Sequence, residues 1–336
     1  MHSDNIQTSK SIQQETGRTF HLATRLLPER IRYPTYVMYA FFRVADEVVD
    51  QTDGPPPTVQ HEQLEVIREA ALGNVDPAET DHEAVLAAFQ DLSERHDISE
   101  ETINVFIDAM EMDIAQARYG TFDDLREYMR GSAVAVGHMM TEVMDPPQKA
   151  EALPHATALA EAFQLSNFLR DVREDIVERD RIYLPRETLD EYGVRETELR
   201  NFELTEGFRE AMERELRRTE ALYREGIAGI EYLPKDCQFP VLVAAVLYAD
   251  HHRLIRERDY DVLSETPSIA TTRKLALVAR TRWHWLRSHD PETVFLRVSC
   301  VPEVPGDVDP DHGRDPNRGV GRRLLRGAVE GLRRLT

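Results

Sequence analysis

The chain has 336 residues, of which 41 are lysine or arginine and 61 are aspartate or glutamate, so its formal net charge is −20. Hydrophobic residues make up 41% of the chain, which excludes wholesale disorder and predicts a packed core. The negative charge argues against nucleic acid as a partner, because phosphate binding requires a positive field. Only four residues are lysine, so the acidic surface is typical of salt-adapted proteins, although some acids could bind metal instead.

Cysteine content and hydropathy indicate the cellular setting. Cys237 and Cys300 are too few for a disulfide framework and favour a reducing compartment. Residues 1–15 are polar and lack the apolar stretch of a signal peptide. No apolar run approaches the ~20 residues that a membrane-spanning helix requires. These features predict a cytoplasmic protein.

Apolar residues recur at three- and four-residue spacing along most of the chain, as in Val85, Leu86, Phe89 and Leu92, which is the period of an amphipathic helix. Gly and Pro mark the breaks between predicted helices. We therefore expect an all-α fold with a single large domain. The breaks fall at residues 53–57, 73–77, 145–147, 184–185, 233–234 and 266–267.

Composition divides the chain into four parts. Residues 1–15 form a polar N-terminal segment, 16–298 the helical domain, 299–318 a linker rich in Pro, Asp and Gly, and 319–336 a basic amphipathic tail. From Arg318 onward there are six arginines and one acid, Glu330, which gives a local charge of +5. The tail could lie on anionic lipid at the inner face of the membrane or be a disordered end, and both interpretations stay open.

Two apolar segments carry acids four residues apart. Asp46 and Asp50 lie in residues 33–50, and Asp171 and Asp175 lie in residues 162–175. Residues at this spacing share one face of a helix. Like charges there cost about 0.2–0.5 kcal/mol per pair, and carboxylates held beside apolar surface are unfavourable unless cations neutralise them. The two pairs are therefore candidates for a metal site.

Two interpretations of these acids remain open on residue chemistry alone. Oxygen ligands suit Mg²⁺, and Mn²⁺ could replace it. Alternatively, Arg43 could form salt bridges with Asp46 or Glu47, and Arg170 with Glu174. If the pairs face each other with Mg²⁺ bound, the metals and arginines would bind a diphosphate and help it leave. Apolar and aromatic walls would then receive the hydrocarbon cation.

Several motifs carry a resemblance to a known family. Residues 164–175 read Gln-Leu-Ser-Asn-Phe-Leu-Arg-Asp-Val-Arg-Glu-Asp, and Arg-Ile-Tyr-Leu-Pro follows at 181–185. Residues 39–50, 106–113, 128–137 and 259–262 supply shorter motifs. With these motifs the chain resembles the squalene/phytoene synthase family over roughly residues 16–280.

The resemblance implies an all-α isoprenoid synthase fold with a central cavity, and a head-to-head prenyltransferase. One prenyl diphosphate ionises and its C1 cation alkylates the double bond of another, which gives a cyclopropylcarbinyl diphosphate. That intermediate ionises, rearranges and loses a proton to yield a polyene. For geranylgeranyl diphosphate the intermediate is prephytoene diphosphate and the product phytoene. No nicotinamide cofactor is expected, since no nucleotide-binding glycine motif is present.

The resemblance also implies roles for particular residues. The metal ligands would be Asp46, Glu47, Asp50, Asp171 and Asp175. The diphosphate contacts would be Arg43, Arg170 and Tyr248. The residues facing the reacting substrate would be Tyr128, Gln164 and Asn167. The residues on a loop able to cover the diphosphate would be Arg181 and Tyr183.

The chain departs from the family pattern at two places. Relatives often carry two serines before a Phe near the domain start, where this chain has only Thr19. Relatives often carry basic residues after the 259–262 motif, where this chain has Glu265 and Thr266. That diphosphate contact would then fall to Arg273 or Lys274.

Other interpretations of the motifs are also open. A squalene or dehydrosqualene synthase using the shorter farnesyl diphosphate would carry the same motifs. A non-enzymatic assembly factor on the same fold would lack the acid pairs, which are intact here. Asp108 and Asp113 could be site acids or ordinary exposed acids. His251 and His252 do not indicate a metal site, because adjacent residues on a helix point apart.

Overall fold

The computed structural model describes residues 23–50 and 54–303, and in this part of the chain regular structure is helical. The only strand-like pairing among these residues is an isolated bridge between Arg118 and Ile182. The expected all-α fold is confirmed, and the expected breaks lie between helices. The helices are α1 Glu29–Val49, α2 Pro57–Ala71, α3 Glu83–His96, α4 Glu100–Ala115, α5 Phe122–Met129, α6 Val136–Met144, α7 Lys149–Arg170, α8 Val172–Arg179, α9 Arg186–Glu191, α10 Glu196–Arg200, α11 Glu206–Ala228, α12 Lys235–Glu257, α13 Thr271–Ser288 and α14 Pro291–Val298.

Short polar side chains fix where several helices begin. Thr121 and Asp124 form a reciprocal cap at α5, in which the Thr121 hydroxyl accepts from the Asp124 N–H at 3.1 Å and the Asp124 carboxylate accepts from the Thr121 N–H at 2.8 Å. Ser99 caps α4 and Thr205 caps α11 from one side only, each hydroxyl accepting one backbone N–H. Such caps satisfy backbone donors that the first turn leaves without partners.

Helix α7 holds the fold together, since its buried residues belong to three hydrophobic clusters. Leu165 packs into a cluster built mainly from α1–α6. Ala162 faces a second cluster with α11, α12, α13 and α14, and Leu169 faces a third with α8–α12. A helix that is apolar on several sides is buried. The central position of α7 brings its C-terminal residues 164–170 to the middle of the molecule.

A turn of π-helix, Arg130–Ala135, connects α5 to α6 and packs against α4. A Cβ added to Gly131 would lie 2.2 Å from the Val105 carbonyl oxygen, so only glycine permits this approach. Turns of π-helix often occur at functional sites because the extra residue redirects neighbouring side chains. Here the turn directs Ser132 toward the interior cavities described below.

The body continues past the composition change at residue 299 that predicts a linker. Val301 is buried and belongs to the second cluster, and the Cys300 thiol lies 3.1 Å from the Ala249 carbonyl oxygen. The compact unit that contains the body ends at Val304. The predicted N-terminal segment, the rest of the linker and the basic tail lie outside the described residues. In residues 23–50 and 54–303, no helix is both long and apolar enough to cross a bilayer.

Candidate active site

A cavity of about 830 Å³ opens into the helical body. Its walls come mainly from α1, α4, α6, α7 and α12, with single residues from α5, the π-helix, α8 and α13 and the loop 266–269 before α13. This cavity is called the mouth below, and it contains charged side chains from several helices. The sequence-predicted residues that line it are Arg43, Asp46, Tyr128, Gln164, Asn167, Arg170, Asp171 and Tyr248.

The first acid motif surrounds one arginine on α1. The Arg43 guanidinium lies 3.9 Å from Asp46, 3.4 Å from Glu47 and 3.8 Å from Asp50. The predicted salt bridges of Arg43 are therefore present. Half of the Glu47 side chain is exposed, and Glu47 is outside the mouth lining. Because one arginine serves three carboxylates, Arg43 alone does not neutralise the motif.

The second motif differs from the single helix that its spacing predicts. Helix α7 ends at Arg170 and α8 begins at Val172, so Asp171 lies at a helix boundary. The spacing to Asp175 is preserved, since the Asp175 N–H donates to the Asp171 carbonyl oxygen at 2.8 Å. The Arg170 Nε donates to Asp171 at 2.6 Å, instead of to Glu174 as the salt-bridge interpretation predicts. Glu174 lines the mouth.

Arg179 joins the two acid motifs. Its Nε lies 3.2 Å from Asp50 Oδ1 and its Nη1 lies 3.6 Å from Asp175 Oδ1. Arg181 adds a contact of 3.4 Å to Asp50. The carboxylates of residues far apart in the chain therefore face one another at one end of the cavity. Asp50 and Asp175 lie behind the mouth lining, held by these arginines.

The carboxyl groups at this end hold protons more tightly than usual. Desolvation, followed by the charge of Asp50, raises the pKa of Asp46 to about 7. The Asp46 side chain keeps 44% of its surface accessible and lines the mouth. Burial, followed by the Asp171 charge, raises the pKa of Asp175 to about 8. Desolvation is the larger cause for both groups and the neighbouring carboxylate adds to it, so a bound cation would relieve the repulsion between them.

Tyr128 and Asp113 form a buried pair beside the acid motifs. The Tyr128 hydroxyl donates to Asp113 Oδ2 at 2.9 Å, and Arg181 lies 3.7 Å from Asp113 Oδ1. Burial raises the pKa of Asp113 to about 6, against the opposing effect of the Arg181 charge. Asp113 is thus a buried acid bonded to the mouth residue Tyr128, whereas Asp108 is exposed and pairs with Arg68 at 2.8 Å.

Tyr183 supports this pair through ring stacking. Its ring stacks on Phe168 with centroids 3.8 Å apart, and the Tyr128 ring lies 5.8 Å away. Arg181 and Tyr183 are both buried, and the backbone between them bonds to residue 117 through the Ile182 N–H at 3.0 Å. Both residues buttress the site acids, rather than lining the mouth as residues of a covering loop would.

His251 is a mouth residue that the sequence motifs do not indicate. Its Nδ1 lies 3.0 Å from the Tyr248 carbonyl oxygen, which assigns the proton to Nδ1. Its Nε2 is then free to accept from the Arg170 Nη1, 3.4 Å away. Burial, followed by the Arg170 charge, lowers the pKa of His251 to about 3, so the ring is neutral.

The second departure from the family pattern has a partial answer in α13. Lys274 lines the mouth, whereas Arg273 turns to Asp250 at 2.8 Å. A lysine within the mouth can supply the positive charge that Glu265 and Thr266 lack. The Arg258 guanidinium also pairs with Glu265. This pairing offsets the negative charge of Glu265, which would otherwise repel a diphosphate.

An apolar cavity of about 260 Å³ adjoins the mouth and is called the inner cavity below. The two cavities are contiguous, because Ser132, Val136, Gln164, Asn167 and Tyr248 line both. Small residues contribute much of the inner wall and leave room for a ligand chain. They include Ala133, Gly137, Ala156, Ala160, Gly226, Gly229 and Ala244.

The donor set of the mouth suits a divalent cation bound through oxygen. Among the described residues, no group of three acid, histidine or cysteine side chains forms a ready-made metal cage. Mg²⁺ does not require one, since it is usually held by one or two carboxylates together with water and substrate phosphate. Asp46 and Asp171 both line the mouth, and their neighbours Asp50 and Asp175 add charge behind them.

Comparison with known proteins decides the family. The squalene/phytoene synthase family model matches residues 13–277. The chain belongs to the squalene/phytoene synthase family. It is 31% identical to the 15-cis-phytoene synthase of Synechococcus elongatus over 284 residues, covering 81% of this chain and 91% of the relative. It is 32% identical to the phytoene synthase of Cereibacter sphaeroides over 339 residues, covering 96% and 92%.

Membership of the squalene/phytoene synthase family makes the protein a head-to-head prenyltransferase. A solved dehydrosqualene synthase in complex with ligand has a TM-score of 0.75 and 24% identity, and the match covers 84% of this chain and 97% of that one. This likeness confirms the isoprenoid synthase fold. The interpretation as a non-enzymatic assembly factor is therefore set aside, since the family's members are enzymes and both acid motifs are present.

Proposed function

We propose that the protein is a phytoene synthase that joins two molecules of geranylgeranyl diphosphate to form phytoene, with release of diphosphate. One observation carries this proposal: a mouth lined by acids and arginines is contiguous with an apolar cavity whose wall is rich in alanine and glycine. The two ends match the two ends of a prenyl diphosphate. Relatives named phytoene synthase at 31–32% identity support the same substrate class.

In this proposal the mouth binds the diphosphate groups. Arg43, Arg170 and Lys274 supply positive charge, and Tyr248 at the junction of the two cavities supplies a hydroxyl. His251 accepts a hydrogen bond from Arg170 and so holds the guanidinium toward the mouth. Fixed donors of this kind stabilise a leaving anion at low cost, because they are oriented before the bond breaks.

The proposed metal ligands are the acids of the two motifs, of which Asp46 and Asp171 line the mouth. Bound Mg²⁺, or Mn²⁺ in its place, would supply positive charge that neutralises the leaving diphosphate. The carboxylates behind the lining would help to hold the cation, since Arg179 and Arg181 do not fully neutralise their negative charge. The proposed ligands are Asp46, Glu47, Asp50, Asp171 and Asp175.

The apolar part of the site would receive the hydrocarbon cations. Phe42 and Phe106 line the mouth with ring centroids 4.9 Å apart, and aromatic faces attract cations. Tyr128 also lines the mouth, where its hydrogen bond to Asp113 would hold it near the reacting carbons. Gln164 and Asn167 line both cavities, so they would contact the substrate where its diphosphate meets its chain.

Product identification tests the proposal directly. The full chain is incubated with geranylgeranyl diphosphate and Mg²⁺, and the extracted hydrocarbon is identified by mass and absorption spectrum. We expect phytoene, and we expect a chelator to abolish its formation. Absence of any C40 hydrocarbon would refute the proposal. A C30 hydrocarbon formed only from farnesyl diphosphate would favour the squalene or dehydrosqualene synthase alternative.

A further inference from the structure

The outer face of α13 exposes large apolar side chains. Leu275, Trp283 and Leu286 have 56%, 58% and 56% of their surfaces accessible. The other exposed large hydrophobic residues in the described part of the chain are three valines, on α2 and α8. A tryptophan and two leucines on one helix face are unusual for a surface that contacts only water.

These side chains form one stripe, called the α13 stripe below. Leu275, Ala279, Trp283 and Leu286 follow each other at four-, four- and three-residue steps, so they share one face. The stripe extends about 16 Å along the helix axis. The opposite face, with Leu277, packs into the second hydrophobic cluster. The helix therefore has apolar surface on both faces, and only one is covered by the body.

Positive charge flanks the α13 stripe on both sides. On a helical projection, Arg280 and Arg287 lie along one edge and Arg282 along the other. The Arg287 guanidinium stacks over the Trp283 ring at 3.3 Å. Arginines beside an apolar stripe can extend their charged ends toward phosphate while their methylene stems cover apolar surface.

The charge of α13 is opposite to that of the whole protein. Helix α13 contains four arginines and one lysine and no acid, whereas the chain carries a net −20. A solvating helix of this protein would be expected to share the acidic composition of the rest. The exception coincides with the exposed tryptophan and leucines. An apolar stripe between cationic edges is the composition of a helix that lies in a membrane interface.

We propose that the α13 stripe docks on the surface of a bilayer that contains anionic lipid. Trp283, Leu275 and Leu286 would enter the boundary between headgroups and acyl chains, and the flanking arginines would contact lipid phosphates. The charge pattern disfavours two other occupants. A second copy placing the same face against itself would bring like charges together. The tail from Arg318, with its +5 charge, would be repelled by the same arginines.

If the proposed function is correct, docking at this face would also bring the mouth close to the bilayer. Lys274, one residue before the α13 stripe begins, lines the mouth, and so does the loop 266–269 that leads into α13. The mouth and the docked face therefore share one helix. A substrate and product dissolved in the bilayer would be close to the site that consumes and releases them.

Vesicle co-sedimentation of the full chain, without substrate, tests the docking surface separately from catalysis. The vesicles are phosphatidylcholine alone or phosphatidylcholine with phosphatidylglycerol. We expect binding to the anionic vesicles, and we expect the double variant Trp283→Ser/Leu286→Ser to lower affinity by at least about tenfold. Arg282→Gln should lower it by about fivefold, and added salt should weaken it.

The matched control is Val59→Ser/Val66→Ser, which removes exposed apolar side chains from α2 and should leave vesicle binding unchanged. Circular dichroism and prenyltransferase activity on detergent-dispersed substrate should be unaltered in all variants. Wild-type affinity in the Trp283→Ser/Leu286→Ser variant would overturn the proposal. So would binding that is lost on removal of residues 304–336 but kept in that variant, or vesicle-independent dimerisation that the variant abolishes.

Discussion

The mouth and the inner cavity adjoin each other but have opposite chemistry. The mouth gathers carboxylates, arginines and a neutral histidine, several of them with displaced pKa values. The inner cavity is lined mainly by apolar residues, many of them alanine or glycine. In the proposed function the two cavities would have separate tasks. The mouth would promote the loss of diphosphate from the substrate, and the inner cavity would select the length of the hydrocarbon chain.

The largest effect is expected from removing a carboxylate at the mouth. Asp171→Asn keeps the side-chain volume but loses negative charge where the proposed cation binds, so we expect turnover to fall by at least about 100-fold. Steady-state kinetics with Mg²⁺ measure this. Asp190→Asn is the control, since Asp190 is exposed on α9 and is not part of the mouth lining. Equal activity of the two variants would contradict the role given to the mouth.

A substitution in the inner cavity should change selectivity instead of chemistry. Ala244→Leu adds volume to the cavity wall and should lower kcat/KM for geranylgeranyl diphosphate about tenfold or more relative to farnesyl diphosphate. The ratio of kcat/KM values for the two substrates measures this. Ala150→Leu places the same change at an exposed position of α7 and should leave the ratio unaltered. A ratio unaffected by Ala244→Leu would remove chain selection from the inner cavity.

His251 tests whether the mouth depends on orientation as well as charge. His251→Leu removes the acceptor that Arg170 contacts and should raise KM about fivefold, with a smaller change in kcat. His251→Gln offers an amide oxygen in a similar position and should restore much of the loss. If both variants are equally impaired, His251 acts through packing and not through Arg170.

The smallest expected effect is on stability. The pKa values of Asp46 and Asp175 are raised in the folded protein to about 7 and about 8. At a pH between the unfolded and the folded pKa of each group, folding is therefore accompanied by proton uptake. The stability that these protons contribute is present at low pH and is lost as pH rises through the folded pKa values. Mg²⁺ competes with the same protons and should therefore stabilise the protein more at alkaline pH.

Thermal unfolding with and without Mg²⁺ measures this competition. We expect Mg²⁺ to raise the melting temperature by about 2–4 °C near pH 8.5 and by less near pH 6. The double variant Asp46→Asn/Asp175→Asn should lose the pH dependence. A Mg²⁺ effect of the same size at both pH values would contradict the assignment of these two acids.

The spacing of Gly, Pro and apolar residues predicts the helical class and six of the breaks, because these signals are local, but not the break at Asp171 between α7 and α8. The two acid pairs could be predicted as well, since their unfavourable charge on apolar helices is visible in sequence. That Arg179 would join Asp50 to Asp175 could not be foreseen. Arg179 lies among many charged residues in 173–180, and nothing local distinguishes it from its neighbours.

Asp113 and His251 illustrate what sequence periodicity leaves undetermined. Asp108 and Asp113 lie on the same helix, and only the arrival of Tyr128 and Arg181 from elsewhere makes one of them a buried acid bonded to a mouth residue. His251 and His252 point apart as expected. Which of them faces the mouth depends on how α12 packs on α7, where His252 lies 3.0 Å from the Ser166 hydroxyl.

A competition between geranylgeranyl and farnesyl diphosphate tests the proposed substrate, because the two carry the same diphosphate group and differ in the length of the chain. Equal concentrations of geranylgeranyl and farnesyl diphosphate are supplied with Mg²⁺, and the C40 and C30 hydrocarbons are quantified together. Phytoene should predominate in the wild type, and Ala244→Leu should shift the products toward C30. A wild-type mixture dominated by the C30 hydrocarbon would contradict the account.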